Sequence, residues 1–467
     1  MHLPSNVALV IYAAVILWLF GRDFREKPNV TGALWLPFFW MFISGTRFIS
    51  QWLAIFGLNF GGVSVEEGSP LDAVVFAVLI IGGLRVLSRR QVRWSEFIRN
   101  NPVVALYFAY CLVAVLWSDF PLVAVKRWVK LFGQPVMVLL VLTEPDPMES
   151  FTRLMKRFAF LLIPLSILFI KYYPQWATCY DNWTGGRVNT GVTTDKNMLG
   201  CDCFILGFFF LWHFLRVRRW DHGTRRTTEL VLCLMFGSGI IWLFHSAHSS
   251  TPIGALVIAV SVFFFVGFKF VDRRHLGVYL VGIVAVLAVL EYAFDLHKVA
   301  IAALGRNTTL TGRTAIWQVL LHWDLNPILG MGFESFWLGD AQQGKLHLLL
   351  SGMNLNEAHN GYLETYLNLG LVGLAITLLM LGAAYFKIRR ALLTDFEFGR
   401  FRLGYLAAFV VYNWTEAIFR THCVPFFIFF LVAVDYYTQT EPEAASEAVV
   451  EAPPDPDLAV AQKVGSS

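Results

Sequence analysis

Thirteen apolar runs dominate the chain, near residues 3–20, 33–56, 71–87, 102–118, 129–142, 158–172, 199–215, 229–245, 252–268, 276–294, 361–386, 403–418 and 424–437. A run of about 20 apolar residues matches the hydrocarbon core of a bilayer when coiled as an α-helix. Inside lipid the backbone must satisfy its own hydrogen bonds, which leaves helices or closed barrels. Runs of this length point to helices, so the fold expected is an all-α polytopic membrane protein. Some runs are short, so about 12–13 transmembrane helices are expected. Composition agrees: only 15% of the residues are charged and mean hydropathy is +0.58, against roughly a quarter charged in soluble domains.

The loops between the runs divide by charge. RDFREK, SRRQVRWSEFIR, TRLMKR, RVRRWDHGTRR, KFVDRR and KIRRALLTDFEFGRFR hold 23 of the 37 Lys and Arg residues. The alternate set (57–70, 119–130, 173–197, 246–251, 295–360 and 418–423) holds only 10. By the positive-inside rule the first set is cytoplasmic and the second external. Thirteen spans then put the N-terminus outside and the C-terminus inside. A re-entrant run would move the N-terminus without moving the later loops. The net charge of +4 follows this loop asymmetry and gives no sign of nucleic-acid binding. The first run lacks a basic leader and a small-residue cleavage site, so it reads as a retained helix. Cys111, Cys179, Cys201, Cys203, Cys233 and Cys423 include no CxxC pair and mostly read as small buried hydrophobes.

Four regions follow from this: N-terminal membrane helices over 1–294 with an external loop at 173–197, a large external loop over 295–360, C-terminal membrane helices over 361–437, and a tail over 438–467. The tail, rich in Pro, Ala and acids, is expected to be disordered. The 295–360 loop is no polar linker. TGRTAIWQVLLHW has the cap and spacing of an amphipathic helix starting near Thr311, and NPILGMGFESFW follows as a Pro/Gly turn with aromatic anchors. So long a loop in a compact protein is usually functional.

The external loops hold the candidate chemistry: Arg187 and Lys196 in GGRVNTGVTTDKNMLG, Arg313 in TLTGRTAIW, His359 between two carboxylates in EAHNGYLE, and Glu416 and Arg420 in YNWTEAIFR. Each has a plainer reading. An arginine at a membrane face often anchors headgroups, and a histidine beside Asn356 and Asn360 can belong to a helix cap. Glu416 and Arg420 are spaced to pair with each other along a helix. HSAHSSTP offers two histidines without a third ligand and reads as a tight polar turn. No P-loop, GxGxxG or HExxH is present, so ATP-driven transport has no support. Together the external residues have a shared logic. Arginines bind phosphate bidentately without losing charge, and a helix N-terminus beside Arg313 adds to anion binding. Histidine can take a proton from an attacking hydroxyl. That chemistry needs neither metal nor cofactor.

TGRTAIW, NPILGMGFESF and EAHNGYLETYLNLGLVG, with GGRVNTGVTTDKNMLG and YNWTEAIF, resemble the O-antigen ligase / Wzy-type polymerase superfamily over about residues 185–420. The KN-x-LG segment is most similar to its ExoQ-like exopolysaccharide polymerase branch. The resemblance implies a bacterial inner-membrane enzyme, active on the periplasmic face, that takes glycan from an undecaprenyl-pyrophosphate-linked donor. The acceptor is another glycan in a polymerase, or lipid A–core in an O-antigen ligase. It also implies His359 as the residue activating the acceptor hydroxyl, Arg187 and Arg313 as pyrophosphate ligands, and contact with membrane lipid and polysaccharide export machinery. The chain departs from the family pattern at Asp195, where His is common before Lys, and at HSAHSST. A transporter or flippase for lipid-linked glycans is the alternative of a different class. It calls for ionisable residues along a pathway through the helices, where only Arg47, Arg85 and Asp202 stand.

Overall fold

A computed structural model of the protein describes residues 3–58, 68–180, 185–279, 282, 313–349, 355–421 and 423–436. The described helices run α1 Ser5–Arg25, α2 Trp35–Gly45, α3 Ile49–Ile55, α4 Pro70–Arg89, α5 Trp94–Asn100, α6 Pro102–Val113, α7 Pro121–Leu142, α8 Pro147–Tyr172, α9 Pro174–Ala177, α10 Lys196–Val217, α11 Thr224–Ala247 and α12 Ser250–Phe265. They continue with α13 Arg313–Leu321, α14 Asp340–Leu349, α15 Gly361–Thr394, α16 Phe396–Tyr412 and α17 Val424–Ala433. Two short strands, β1 Thr178–Tyr180 and β2 Arg187–Asn189, pair antiparallel between α9 and α10. The protein is an all-α, multi-pass membrane protein.

Every apolar run forms helix over most of its described residues, though helix stops at Tyr412 in the run 403–418; the run at 276–294 lies almost wholly outside the described residues, as does Thr311, the expected start of α13. Five helices (α1, α4, α10, α11 and α15) are long and apolar enough to cross a bilayer unaided, and α5 with α6 forms a bent pair that meets the same test. The rest are less regular for identifiable reasons. The run at 33–56 breaks between α2 and α3. Helices α7 and α8 carry Pro135 and Pro164 inside them and charged residues at one end.

Helix α15 departs most from a plain span. Gly370 has φ of 65°, which breaks the helix in its upper third. The NPILGMG segment docks on the break through Met331 N–H to Leu367 O (3.0 Å), Gly332 N–H to Asn368 O (2.9 Å) and Leu371 N–H to Pro327 O (2.9 Å). A side chain on Gly330 would lie 2.6 Å from the backbone of Asn368 and Gly370, so only glycine permits this approach. A small apolar core separate from the main one, including Ile316, Leu320, Phe336, Trp337 and Leu367, holds α13, α14 and this segment over the start of α15.

Contacts sort the helix ends onto two faces. On the basic-loop face, Arg153 and Arg157 of α8 both bind Asp23 of α1 at 2.8 Å, while Lys156 (2.9 Å) and His213 (3.0 Å) bind Glu229 of α11. Arg22 joins Glu229 at 2.6 Å and Glu26 at 2.7 Å. On the opposite face, the carbonyls of Trp176 and Thr193 accept hydrogen bonds from Arg47, and Asn189 donates to Ser246 O at 3.1 Å. His359 lies on this second face.

Candidate active site

Helix α15 begins because Asn360 caps it, its Oδ1 accepting from Tyr362 N–H and Leu363 N–H, both at 3.0 Å. The cap is locked by Gly361, whose N–H donates to Asn413 O at 2.7 Å. Immediately before it, His359 takes a left-handed backbone with φ of 49°. That is an uncommon conformation for a residue with a side chain. Glu364, one turn into α15, fixes the turn from the other side. Its carboxylate accepts from Ala358 N–H at 2.9 Å and from the Trp337 indole at 2.5 Å.

Five ionisable groups then alternate in sign. Arg420 donates to Glu357 at 2.6 Å, and Glu357 Oε1 lies 2.9 Å from His359 Nδ1. The same nitrogen lies 3.4 Å from Glu416 Oε2, and Glu416 Oε1 accepts from Arg313 at 2.6 Å. Arg313 is further held by Thr415 O, and Arg420 by Asn356 O at 3.0 Å. The expected pairing of Glu416 with Arg420 is not formed, because residues 413–420 are not helical. Each instead reaches a partner in the loop on either side of His359.

Because Nδ1 faces two carboxylates it must carry a proton, so Nε2 is the nitrogen that titrates. Burial works against the charged imidazole, but hydrogen bonds to Glu357 and Glu416 outweigh it and push its pKa up to about 9. Glu357 is held down to about 2; burial opposes this, and Arg420 and His359 overcome it. The Arg420 pKa is raised, since Glu357, Glu364 and Glu334 outweigh its burial. Counting His359 as charged, three cations face two anions. Exposure grades along the chain: the side chains of Arg313 and Glu416 are 6% and 8% exposed, His359 16% and Arg420 34%. The cluster is anchored at one end and open at the other.

The 185–200 segment borders this cluster. Asp195 caps α10, accepting from Asn197 N–H at 2.8 Å and Met198 N–H at 2.9 Å. Its pKa is raised, first by burial and then by the negative charges of Glu357 and Glu416. Lys196 is the half-buried first residue of α10, and Arg187 lies exposed on β2 opposite Tyr180. The HSAHSST turn stands alongside, with Ser249 bonded to Asn197 at 2.9 Å. Glu357, His359 and Glu416 bring three potential ligand atoms within 4.8 Å of one another. The outer oxygens of both carboxylates are already occupied by guanidinium groups, so a divalent cation there would face two fixed positive charges. An anion is the better electrostatic complement.

Residues 231–378 match the family model described as O-antigen ligase. That stretch, about a third of the chain, is what resembles the O-antigen ligase family. Among curated proteins, the exopolysaccharide production protein ExoQ of Rhizobium meliloti (strain 1021) is 23% identical over 333 residues, covering 65% of this chain and 69% of that protein. The O-antigen ligase match includes Arg313, Glu357 and His359 but stops short of Glu416 and Arg420. The latter two complete the charge chain from the loop between α16 and α17. Sequence reasoning saw Glu357 only as a flanking carboxylate. Its spacing of two from His359 was visible, but its role as the bridge to Arg420 depends on how the loop before α15 packs against that later loop.

Proposed function

We propose that the protein is a metal-independent glycosyltransferase of the periplasmic face of the bacterial inner membrane. It transfers a glycan from an undecaprenyl-pyrophosphate-linked donor to an acceptor sugar hydroxyl, with 295–360 as its catalytic loop. Arginine and imidazolium in surplus over carboxylate, open to solvent on the face away from the basic loops, is the observation that carries this reading. The name of the ExoQ relative favours exopolysaccharide polymerisation over attachment to lipid A–core.

In the reaction the acceptor O–H gives its proton to Nε2 of neutral His359 while its oxygen attacks the anomeric carbon. The bond from that carbon to the pyrophosphate oxygen breaks, and its electron pair leaves with undecaprenyl pyrophosphate. Glu357 and Glu416 stabilise the imidazolium that forms, as a carboxylate does behind any histidine base. Arg313 and Arg420 stand where they stabilise charge growing on the leaving group, with Arg187 and Lys196 bordering the glycan and phosphate path. The test is purified protein with lipid-linked repeat units, scored for longer glycan and released undecaprenyl pyrophosphate. Turnover is expected to survive exhaustive chelation of divalent metals; loss restored by one added metal would overturn the metal-independent mechanism.

A further inference from the structure

Beside the His359 cluster lies a second polar group on one face of α7. Arg127, Lys130 and Gln134 follow at helical spacing and so share a face. Arg127 donates to Glu334 O at 2.6 Å, and the Glu334 carboxylate accepts from Thr421 at 2.7 Å. Gln134 is fully buried; its Nε2 donates to Thr421 O at 3.0 Å, while its Oε1 has no hydrogen-bond partner. Between them the half-buried Lys130 ammonium lies 5.3 Å from the Phe76 ring centre and has no ion pair among the described residues. Neither carboxylate that acts on it from nearby, Asp72 or Glu334, pairs with it directly. Asp72 accepts from Ser50 N–H at 2.9 Å and from the Ser50 hydroxyl, and Glu334 is held by Thr421 and Arg127. Thr421 directly follows Arg420, so this group and the His359 cluster share one wall.

A half-buried lysine without a carboxylate, above a buried acceptor without a donor, costs solvation that packing alone does not return. Both needs are met by one arrangement. With the Lys130 side chain turned towards Gln134 Oε1, one turn away, the ammonium would donate one hydrogen bond there and keep two N–H groups for the oxygens of an anion. The proposed reaction joins two glycans, and in a polymerase both are carried on pyrophosphate. Resting on that transferase reading, we propose that Lys130, oriented by Gln134 and flanked by Arg127, is a second pyrophosphate subsite, which holds the lipid-linked acceptor while the Arg313–Arg420 cluster holds the donor.

The test counts undecaprenyl pyrophosphate bound per chain, by native mass spectrometry of the full protein in detergent. Wild type is expected to bind two molecules, with undecaprenol binding at neither site. K130Q and R313A should each retain one, and K130R should retain two; melting curves confirm that the variants fold. Two molecules on folded K130Q, or one on wild type, overturn the second subsite and leave the transferase reading intact. So does displacement of the Lys130-dependent molecule by an equal concentration of phosphatidylglycerol, which would make it a general headgroup site. No binding to wild type at all overturns the transferase reading itself, and the subsite with it.

Discussion

Two charge clusters sit on opposite faces of this protein, and they differ in balance and in access. On the basic-loop face Arg22, Arg153, Lys156 and Arg157 meet Asp23, Glu26, Glu149 and Glu229, with equal numbers of each sign, and His213 completes the set. At its centre the Asp23 side chain is fully buried and those of Arg153 and Arg157 are 4% exposed. On the other face, three cations share two carboxylates and the chain opens towards solvent at Arg420. The closed, balanced cluster ties α1, α8, α10 and α11 together. The open one keeps a positive surplus, which suits an anionic ligand. Burial of charge alone therefore does not tell the two clusters apart; imbalance and access do.

The contrast breaks most sharply at His359. His359→Ala should lower transfer by ~10²–10⁴-fold, the range for loss of a general base, while donor binding persists. Isothermal titration with the lipid-linked donor beside a chain-extension assay measures both. Near-normal extension would return His359 to a capping role.

Asp23→Ala should do the reverse. It strands Arg157, which pairs with Asp23 alone among the described residues, while Arg153 keeps Glu26 and Glu149, a loss of about 3–5 kcal/mol for a broken buried pair. Melting temperature and yield in the membrane should fall, while turnover per folded molecule stays near wild type. A selective loss of turnover with unchanged melting would mean that the closed cluster also serves the reaction. Arg313→Lys lies between the two. It keeps the charge beside Glu416 but loses the planar fork, so donor affinity and turnover should each fall about ten- to a hundredfold, the worth of one charge-assisted hydrogen bond. Full activity would assign Arg313 to holding Glu416 alone.

These two clusters were unequally legible in the sequence. Arg313, His359, Glu416 and Arg420 stood out because they are polar residues in external loops of an apolar chain, where a charged side chain needs a reason. Asp23 and Lys156 were read only as parts of the basic loops, and Glu229 only as the start of an apolar run, since their pairing depends on helices far apart in sequence. The Lys130–Gln134 face was missed for the same reason: Glu334 and Thr421 reach it from distant loops. Arg47 was counted as a mid-helix charge and instead caps two loop carbonyls. The break at Gly370 was hidden inside the apolar run 361–386. Glycines at 330, 332 and 370 hinted at close backbone contact, but which glycine meets which segment is a tertiary fact. The paired carboxylates around Nδ1 belong to the same class, and they determine how His359 responds to pH.

That response is the finest test of the comparison. A base must be unprotonated to act, and the His359 pKa is pushed up to about 9. At neutral pH the imidazolium therefore prevails, and log(kcat/KM) should climb with a slope of about one per pH unit until it levels near that value. The carboxylates that raise the pKa also set the limb. Glu357→Gln removes one of the two negative charges at Nδ1, so the imidazolium loses support and the limb should move to lower pH by about 1 unit or more. At neutral pH this enlarges the neutral fraction, while each neutral histidine becomes a weaker base. The two effects oppose, so the rate at pH 7 changes little even as the profile shifts. The balanced cluster supplies the control: Glu149→Gln, at its exposed edge, should leave the limb where it stands. If activity instead fell as pH rose towards 9, His359 would act through its positive charge, and the proton would have to leave the acceptor by another route.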